Sequence, residues 1–115
     1  MRNTGDMRPV LSVRLFTKSK CFGPGIAELL SRVRELSSLR AAAASMDMAY
    51  SKAWRIVKES EEALGFKLLK STTGGQHGGG ALLTAEAEAL LQNYSGFVSA
   101  LNEAAQKLFD EKFLH

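Results

Sequence analysis

The 115-residue sequence has little of what secreted and membrane proteins need. It contains one cysteine, Cys21, so no internal disulfide can form, and a single thiol suits the reducing cytoplasm. No apolar run approaches the roughly 18 residues that span a membrane. Residues 1–9 carry charges but no apolar stretch, so we predict a disordered N-terminus rather than a signal peptide. These absences exclude a secreted disulfide scaffold and a membrane protein, and they predict a cytoplasmic location.

The sequence also lacks the residue groupings that catalysis and metal binding require. Cys21, His77 and His115 lie far apart in the chain, without the spacing of a metal site. No Gly-x-Ser-x-Gly nucleophile motif occurs. The glycine-rich loop of residues 72–80 is not followed by Gly-Lys-Ser/Thr or by a helix, which argues against a phosphate-binding or dinucleotide-binding loop. We therefore predict neither an enzyme nor a protein that holds a metal or cofactor.

The charges are divided unevenly along the chain, although the formal net charge is only +3. Residues 1–84 carry 13 of the 15 Lys and Arg residues and 7 of the 12 Asp and Glu residues, a net charge of +6. Residues 85–115 carry 2 basic and 5 acidic residues, a net charge of −3. This asymmetry is typical of a body that binds a polyanion, joined to a separate acidic element.

Hydrophobic periodicity predicts a small hairpin followed by a helix. Alternation of apolar and polar residues favours a half-buried strand over residues 10–16, then a turn over 17–20 and a short return strand over 21–22. Beyond Gly23-Pro24-Gly25, apolar residues recur at steps of three and four. This is the pattern of an amphipathic helix, whose inner face is predicted to be Ile26, Leu29, Leu30, Val33 and Leu36.

Two helices joined by a tight turn are predicted next. Ser37-Ser38 is placed to cap a short, alanine-rich helix from Leu39 to Met46. Asp47 tolerates the left-handed conformation of a tight turn. A second helix then runs from Ala49 to Leu64 and is closed by Gly65. Its outer face is predicted to be Ser51, Lys52, Arg55, Lys58 and Glu59.

Two further features of this second helix are not assigned to DNA contact. Trp54 lies at the edge of the apolar face, so we predict a structural role, with its indole N–H near the backbone of an adjacent segment. The acidic residues Glu59, Glu61 and Glu62 are predicted to form a solvated run.

A glycine-rich hairpin and a long helix complete the predicted fold. Short strands over residues 66–70 and 81–83 flank the loop of residues 72–80, five of which are glycine, and together they have the form of a wing. Thr84 is placed to cap a last helix over residues 85–112, which at 1.5 Å per residue extends about 40 Å, longer than a body of this size buries. Its apolar residues form a heptad seam with 4-3-4-3-4-3 spacing, predicted to be the dimerisation surface: Ala87, Leu91, Tyr94, Val98, Leu101, Ala105 and Leu108.

Four stretches resemble the molybdenum-transport regulator (ModE) family, relatives of the LysR-type regulators. Residues 39–54, LRAAAASMDMAYSKAW, look like the helix-turn-helix of that family. Residues 22–30, FGPGIAELL, resemble the start of the first helix in its single-domain members, and residues 61–65, EEALG, resemble the end of the recognition helix shared with the LysR type. Most specifically, residues 73–84, TGGQHGGGALLT, resemble the glycine-rich wing and the threonine that follows it. The resemblance spans about residues 10–112 and implies a winged helix-turn-helix.

The chain departs from the family pattern in three ways. Asp47 stands where the turn often has glycine. Ala85-Glu86-Ala87 stands where the family usually places a glycine and a basic residue in the helix. Full-length ModE regulators continue into a molybdate-binding domain, which we expect to be absent from this chain, so molybdate sensing is not carried over.

The resemblance implies that the second helix of the pair is a recognition helix in the major groove of DNA. Arg55 is then placed to bind guanine, while Ser51 and Tyr50 reach a base or a phosphate. Lys52 and Lys58 are expected to meet phosphates, which position the protein without reading sequence. The full set of expected DNA-binding residues is Ala49, Tyr50, Ser51, Lys52, Arg55, Lys58, Thr72, Thr73, Gln76 and His77.

We therefore predict a mainly α-helical fold with small β hairpins (α+β), with a winged helix-turn-helix over residues 10–84 and a C-terminal dimerisation helix over residues 85–115. The predicted function is a sequence-specific transcriptional regulator that binds double-stranded DNA as a homodimer. Two alternatives stay open. One is a protein-interaction module that keeps the winged fold without reading DNA, and the other is a small oxyanion (molybdate) sensor. A separate sensing partner also stays open.

Overall fold

The computed structural model describes residues 5–72 and 80–114. Within these residues the elements are β1 (Leu15–Phe16), β2 (Lys20–Phe22), α1 (Pro24–Leu36), α2 (Leu39–Ser45), α3 (Tyr50–Leu64), β3 (Leu69–Ser71), β4 (Ala81–Leu83) and α4 (Ala85–Phe113). β1 pairs with β2 and β3 with β4, as two separate antiparallel hairpins. This confirms the predicted α+β winged helix-turn-helix. Residues 1–4 of the predicted disordered N-terminus lie outside the described residues, and residues 5–9 belong to no helix or strand.

The first hairpin is shorter than the predicted strand over residues 10–16. β1 contains only Leu15 and Phe16, because the strand opposite it is three residues long, and residues 10–14 lie outside the ladder. The Tyr94 hydroxyl holds this segment by donating a hydrogen bond to the Val13 carbonyl oxygen at 2.6 Å. Burial raises the pKa of the Tyr94 phenol, an effect that the nearby Arg14 opposes, so the hydroxyl remains a donor at neutral pH.

α1 supplies the centre of the core. Pro24 occupies its first turn, where the fixed φ suits a helix and the missing N–H has no helical partner to lose. Of the predicted inner face, all but Leu36 is buried. Beside this helix the rings of Phe22 and Tyr94 pack edge to face, with their centroids 5.0 Å apart. This contact joins the first hairpin to α4.

The helix-turn-helix ends where the local sequence signals predicted. The Ser38 hydroxyl caps α2 by accepting the backbone N–H of Ala41 at 3.0 Å. Asp47, in the turn, has a left-handed φ of 54°. Gly65, which follows α3, has a φ of 86°, a conformation that favours glycine. These local signals fix where α3 begins and ends.

Small residues let α2 and α3 approach closely. Ala42 and Ala43 of α2 and Ala53 of α3 are buried side chains of the common core. The Ser60 hydroxyl donates a hydrogen bond to the Cys21 carbonyl oxygen, which ties the far end of α3 to the first hairpin. α3 is therefore held along its length, with one side left uncovered.

The wing starts later than predicted. Its pairs are Leu69↔Leu83, Lys70↔Leu82 and Ser71↔Ala81, so β3 covers residues 69–71 instead of 66–70. The chain at Leu68 is bonded to α3 and to Thr84 rather than to an opposing strand, which delays the ladder. At the other side, the Ala81 N–H donates to the Ser37 carbonyl oxygen at 3.0 Å and ties the wing to the end of α1.

α4 is a helix of 29 residues that begins directly after Thr84. The Thr84 hydroxyl accepts the Ala87 N–H at 3.0 Å, which confirms the predicted cap. At 1.5 Å per residue the helix is about 43 Å long, whereas the molecule measures 60 × 28 × 20 Å. Ala87, Leu91 and Tyr94 are buried in the amino-terminal half of α4, and Phe109 is the buried residue of its carboxyl half.

Candidate nucleic-acid interface

The first two turns of α3 present an open outer face. Ala49, Ser51, Lys52 and Arg55 are all exposed, on the part of the helix turned away from the buried Ala53. Ala49 is the N-cap residue and makes no side-chain cap, so no side chain from that position covers the amino end of the helix. The structure thus brings four predicted DNA-binding residues onto one surface.

Tyr50, at the start of α3, lies under an arginine from α2. The guanidinium carbon of Arg40 is 4.1 Å from the centre of the Tyr50 ring, a cation–π arrangement that holds both side chains at the surface. Sequence reasoning missed Arg40. The available signal was that Arg40 is the one charged residue in the alanine-rich α2.

The acidic residues at the end of α3 are of two kinds. Glu59 and Glu62 are exposed, as predicted for a solvated run. Glu61 is only 7% exposed, so the prediction is wrong for this residue. One oxygen of its carboxylate, Oε2, accepts the backbone N–H groups of Leu68 at 2.7 Å and Leu69 at 3.3 Å. These bonds compensate for burial and connect α3 to the first strand of the wing.

Lys58 is held in place more firmly than a solvated side chain. Its Nζ atom lies 3.4 Å from Oε1 of Glu61, and the Nζ atom of Lys67 lies 3.8 Å from the same oxygen. The Lys58 Nζ atom is also 5.5 Å from the centre of the Trp54 ring. The two lysines therefore surround the one buried carboxylate of α3, and Lys58 remains half-buried at the surface beside Trp54.

Trp54 lies at the surface beside the wing, and its structural role stays a prediction. Its side chain is 50% exposed, because position 54 turns toward the wing and not into the core. It lines a groove of about 480 Å³ between α2, α3 and the wing. Basic and polar side chains share this lining: Arg40, Lys58, Lys70 and Ser71.

The wing residues of the predicted interface lie mainly outside the described residues. This applies to Thr73, Gln76 and His77. Thr72 is described and is half-buried, and it closes the base of the wing. Its hydroxyl accepts the Gly80 N–H at 2.7 Å, and its own N–H donates to the Gly80 carbonyl oxygen at 3.1 Å. Thr72 thus stabilises the base of the wing and also lies near its surface.

The seam predicted for dimerisation changes character along α4. Ala87, Leu91 and Tyr94 belong to the chain's own core, so they pack within one molecule. The next three seam residues are partly buried, and Leu108 is 56% exposed. The seam was extended over the whole helix because its spacing is uniform, whereas the core of the chain takes up only its first three residues. Phe109, which is not a seam residue, is also buried near the other end of α4.

An apolar stripe overlaps the seam in the carboxyl half of α4, and Leu101 and Leu108 belong to both. Phe97 is 50% exposed, and Leu101, Ala104 and Leu108 follow at steps of four, three and four, so all four share one side of the helix. Sequence reasoning missed Phe97 because the seam passes from Tyr94 to Val98 and leaves Phe97 out.

The described residues hold neither a candidate membrane span nor a candidate metal site. None of their helices is both long and apolar enough to cross a membrane. Within the same residues, no group of three or more His, Cys, Asp and Glu side chains is arranged to hold a metal ion.

Comparison with known proteins gives two findings. Residues 27–88, more than half of the chain, match the family described as bacterial regulatory helix-turn-helix protein, lysR family. The chain is also similar to the Transcriptional regulator ModE of Haemophilus influenzae, with 33% identity over 88 residues. That alignment covers 76% of this chain and 34% of the relative, so the chain spans about a third of the relative's length.

Proposed function

Because the chain belongs to the LysR family of bacterial regulatory helix-turn-helix proteins, we propose that it regulates transcription by sequence-specific binding to double-stranded DNA. The observation that carries this proposal is the outer face of α3, where Ser51, Lys52 and Arg55 are exposed together on a helix whose opposite side is buried. Because bacterial DNA lies in the cytoplasm, we also propose a cytoplasmic location.

On this proposal α3 enters the major groove. The Arg55 guanidinium is the group suited to bind guanine O6 and N7 together, and Ser51 adds a hydroxyl donor and acceptor. Lys52 lies at the side of the helix and is suited to a phosphate. Ala49 allows close approach of the helix terminus to the groove floor. The wing, with Thr72, Thr73, Gln76 and His77, then lies toward the neighbouring sugar–phosphate rim.

We further propose that the protein acts as a homodimer through α4. The stripe of Phe97, Leu101, Ala104 and Leu108 is apolar, and all of it except the partly buried Leu101 is exposed. A two-fold axis would place this stripe against its own copy. Full burial of a Phe or Leu side chain contributes roughly 1.5–3 kcal/mol, so the half-exposed Phe97 and Leu108 each contribute a part of that. Two α3 helices would then enter successive major grooves about 34 Å apart, on a roughly palindromic site.

The test is selection of bound sequences from a random DNA pool, followed by affinity measurements across a salt series. Several phosphate contacts predict a steep negative slope of log affinity against log salt. Arg55→Ala is expected to lower the affinity for the selected sequence by about tenfold to a hundredfold and to relax base preference. Lys107→Ala removes the same charge from α4 and is expected to leave base preference unchanged.

A flat salt slope on all sequences would contradict the proposal. Retention of one stoichiometric protein partner, with no DNA bound at low salt, would instead favour a protein-interaction module. Arg55→Ala with the base preference of the parent would show that α3 is not the reading helix.

A further inference from the structure

The side of α3 that faces the wing carries an aromatic stripe. Tyr50, Trp54 and Lys58 follow at steps of four residues and therefore lie one above another on the helix. The two rings are 38% and 50% exposed. A half-exposed indole is a large apolar surface left in water, and such surfaces are common where another molecule packs.

Cations are arranged along this stripe. Arg40 lies 4.1 Å from the Tyr50 ring and Lys58 lies 5.5 Å from the Trp54 ring, while Lys70 lines the opposite wall from β3. The one acidic side chain of the lining, Glu61, is already bonded to two backbone N–H groups and lies near Lys58. The groove between α3 and the wing therefore carries excess positive charge beside an exposed aromatic ring.

The position of the groove on α3 decides which part of DNA it meets. Ser51 and Arg55 lie near the middle of the outer face, whereas Trp54 is about 60° from Ser51 and about 100° from Arg55 round the helix, on the side of the wing. With the middle of the face in the major groove, the next feature toward the wing is the sugar–phosphate strand that bounds that groove. Trp54 therefore faces backbone and not base edges.

We infer that the groove lined by Arg40, Trp54, Lys58 and Lys70 seats one sugar–phosphate strand of double-stranded DNA, with the Trp54 ring packed on a deoxyribose. The cations take the phosphates on either side of that sugar. This inference rests on the proposed DNA binding and adds a sequence-independent contact to it. Trp54 is then a contact residue for affinity and Arg55 one for specificity.

The test uses the intrinsic fluorescence of the full chain, because Trp54 is its only tryptophan. Duplexes of about 30 base pairs, long enough for two half-sites, carry an independent anisotropy label. We expect the Trp54 emission to change on titration at low salt, with the same midpoint as the anisotropy, and to return to that of the free protein at high salt.

Variants separate the sugar contact from the phosphate contacts. Trp54→Ala is expected to weaken binding to all sequences by about tenfold, with the salt slope unchanged, because no charge is lost. Trp54→Phe keeps a ring and is expected to recover much of that affinity. Lys58→Ala and Lys70→Ala are each expected to reduce the salt slope by about 1. Phe16→Ala, which removes a 65%-exposed ring from the first hairpin, is the matched control and is expected to bind like the parent.

The outcomes distinguish this inference from the proposal beneath it. A parent chain that shows no anisotropy change with any duplex contradicts DNA binding, and the groove seat with it. Salt-dependent DNA binding without a change in Trp54 emission, and with Trp54→Ala equal to the parent, overturns the groove seat alone. If Trp54→Ala lowered the affinity for one sequence only, Trp54 would contact a base, and this result would also overturn the groove seat.

Discussion

α3 and α4 are two amphipathic helices that share one core and leave very different surfaces uncovered. The uncovered side of α3 lies between the first hairpin and the wing. It carries exposed cations and two half-exposed aromatic rings. α4 exposes apolar side chains in its carboxyl half, among them Phe97 and Leu108. Solvated cations suit a polyanion that stays hydrated, whereas exposed apolar side chains suit a partner that removes water from them. The difference indicates two separate binding surfaces.

The charges of the two regions agree with this division. The chain up to residue 84 has a net charge of +6 and residues 85–115 have a net charge of −3. On the proposed function, a polyanion attracted to α3 is repelled by the net negative charge of residues 85–115, which agrees with a contact of another kind for the long helix. Three predictions test how far the two regions are independent, from the largest expected effect to the smallest.

The largest effect is expected from a charge placed in the apolar stripe of α4. Phe97→Glu or Leu108→Glu introduces a carboxylate that a dimer buries twice, because a two-fold interface repeats each residue. We expect the dimer dissociation constant to rise by about a hundredfold or more. Sedimentation analysis measures this directly. Binding to a single half-site is expected to survive, because α3 is unchanged.

The matched control is Gln92→Glu, which adds the same charge to an exposed position on the opposite side of α4. It is expected to leave the dissociation constant within about threefold of the parent. If Gln92→Glu disrupts the dimer as strongly as Phe97→Glu, the stripe is not the interface. If neither variant changes the oligomeric state, α4 is not a dimerisation helix.

A smaller effect is expected from the carboxylate that connects α3 to the wing. Glu61→Ala leaves the Leu68 N–H without its acceptor in a buried site, which costs about 2 kcal/mol of unfolding free energy. Glu62→Ala, at the exposed neighbouring position, is expected to stay within about 0.5 kcal/mol of the parent. Urea unfolding measures both. Equal stabilities for the two variants would mean that the Glu61 bonds contribute nothing to the fold.

What the sequence predicted well depends on local structure. Ser38, Asp47 and Gly65 fix helix ends through their own backbone or side-chain geometry, so their roles follow from residue type and position. The burial of Glu61 and the groove beside Trp54 were not predicted, because both depend on how the chain packs against α3 after Gly65, which helical spacing within α3 does not show.

The interface residues show the same limit. Helical spacing alone identified the exposed face of α3, since that face is a property of one helix. It did not identify Arg40, whose position depends on how α2 packs against α3. On α4 it did not separate the buried part of the seam from the exposed stripe, because the extent of the body along the helix is a tertiary property.

The smallest effect is expected from glycines, one in each region. A Cβ at Gly80 would overlap the Ser37 carbonyl oxygen, the atom that accepts the Ala81 N–H, so Gly80→Ala must move the wing base away from α1. We expect a loss of about 1–2 kcal/mol, measured by urea unfolding. The control is Gly96→Ala in the middle of α4, where a Cβ meets nothing within 4 Å, and where higher helix propensity is expected to stabilise by about 0.5–1 kcal/mol. Opposite signs at the two positions would show that the wing base is packed tightly against α1 and that this side of α4 is open. A Gly80→Ala variant as stable as the parent would show that the wing is not held at Ser37.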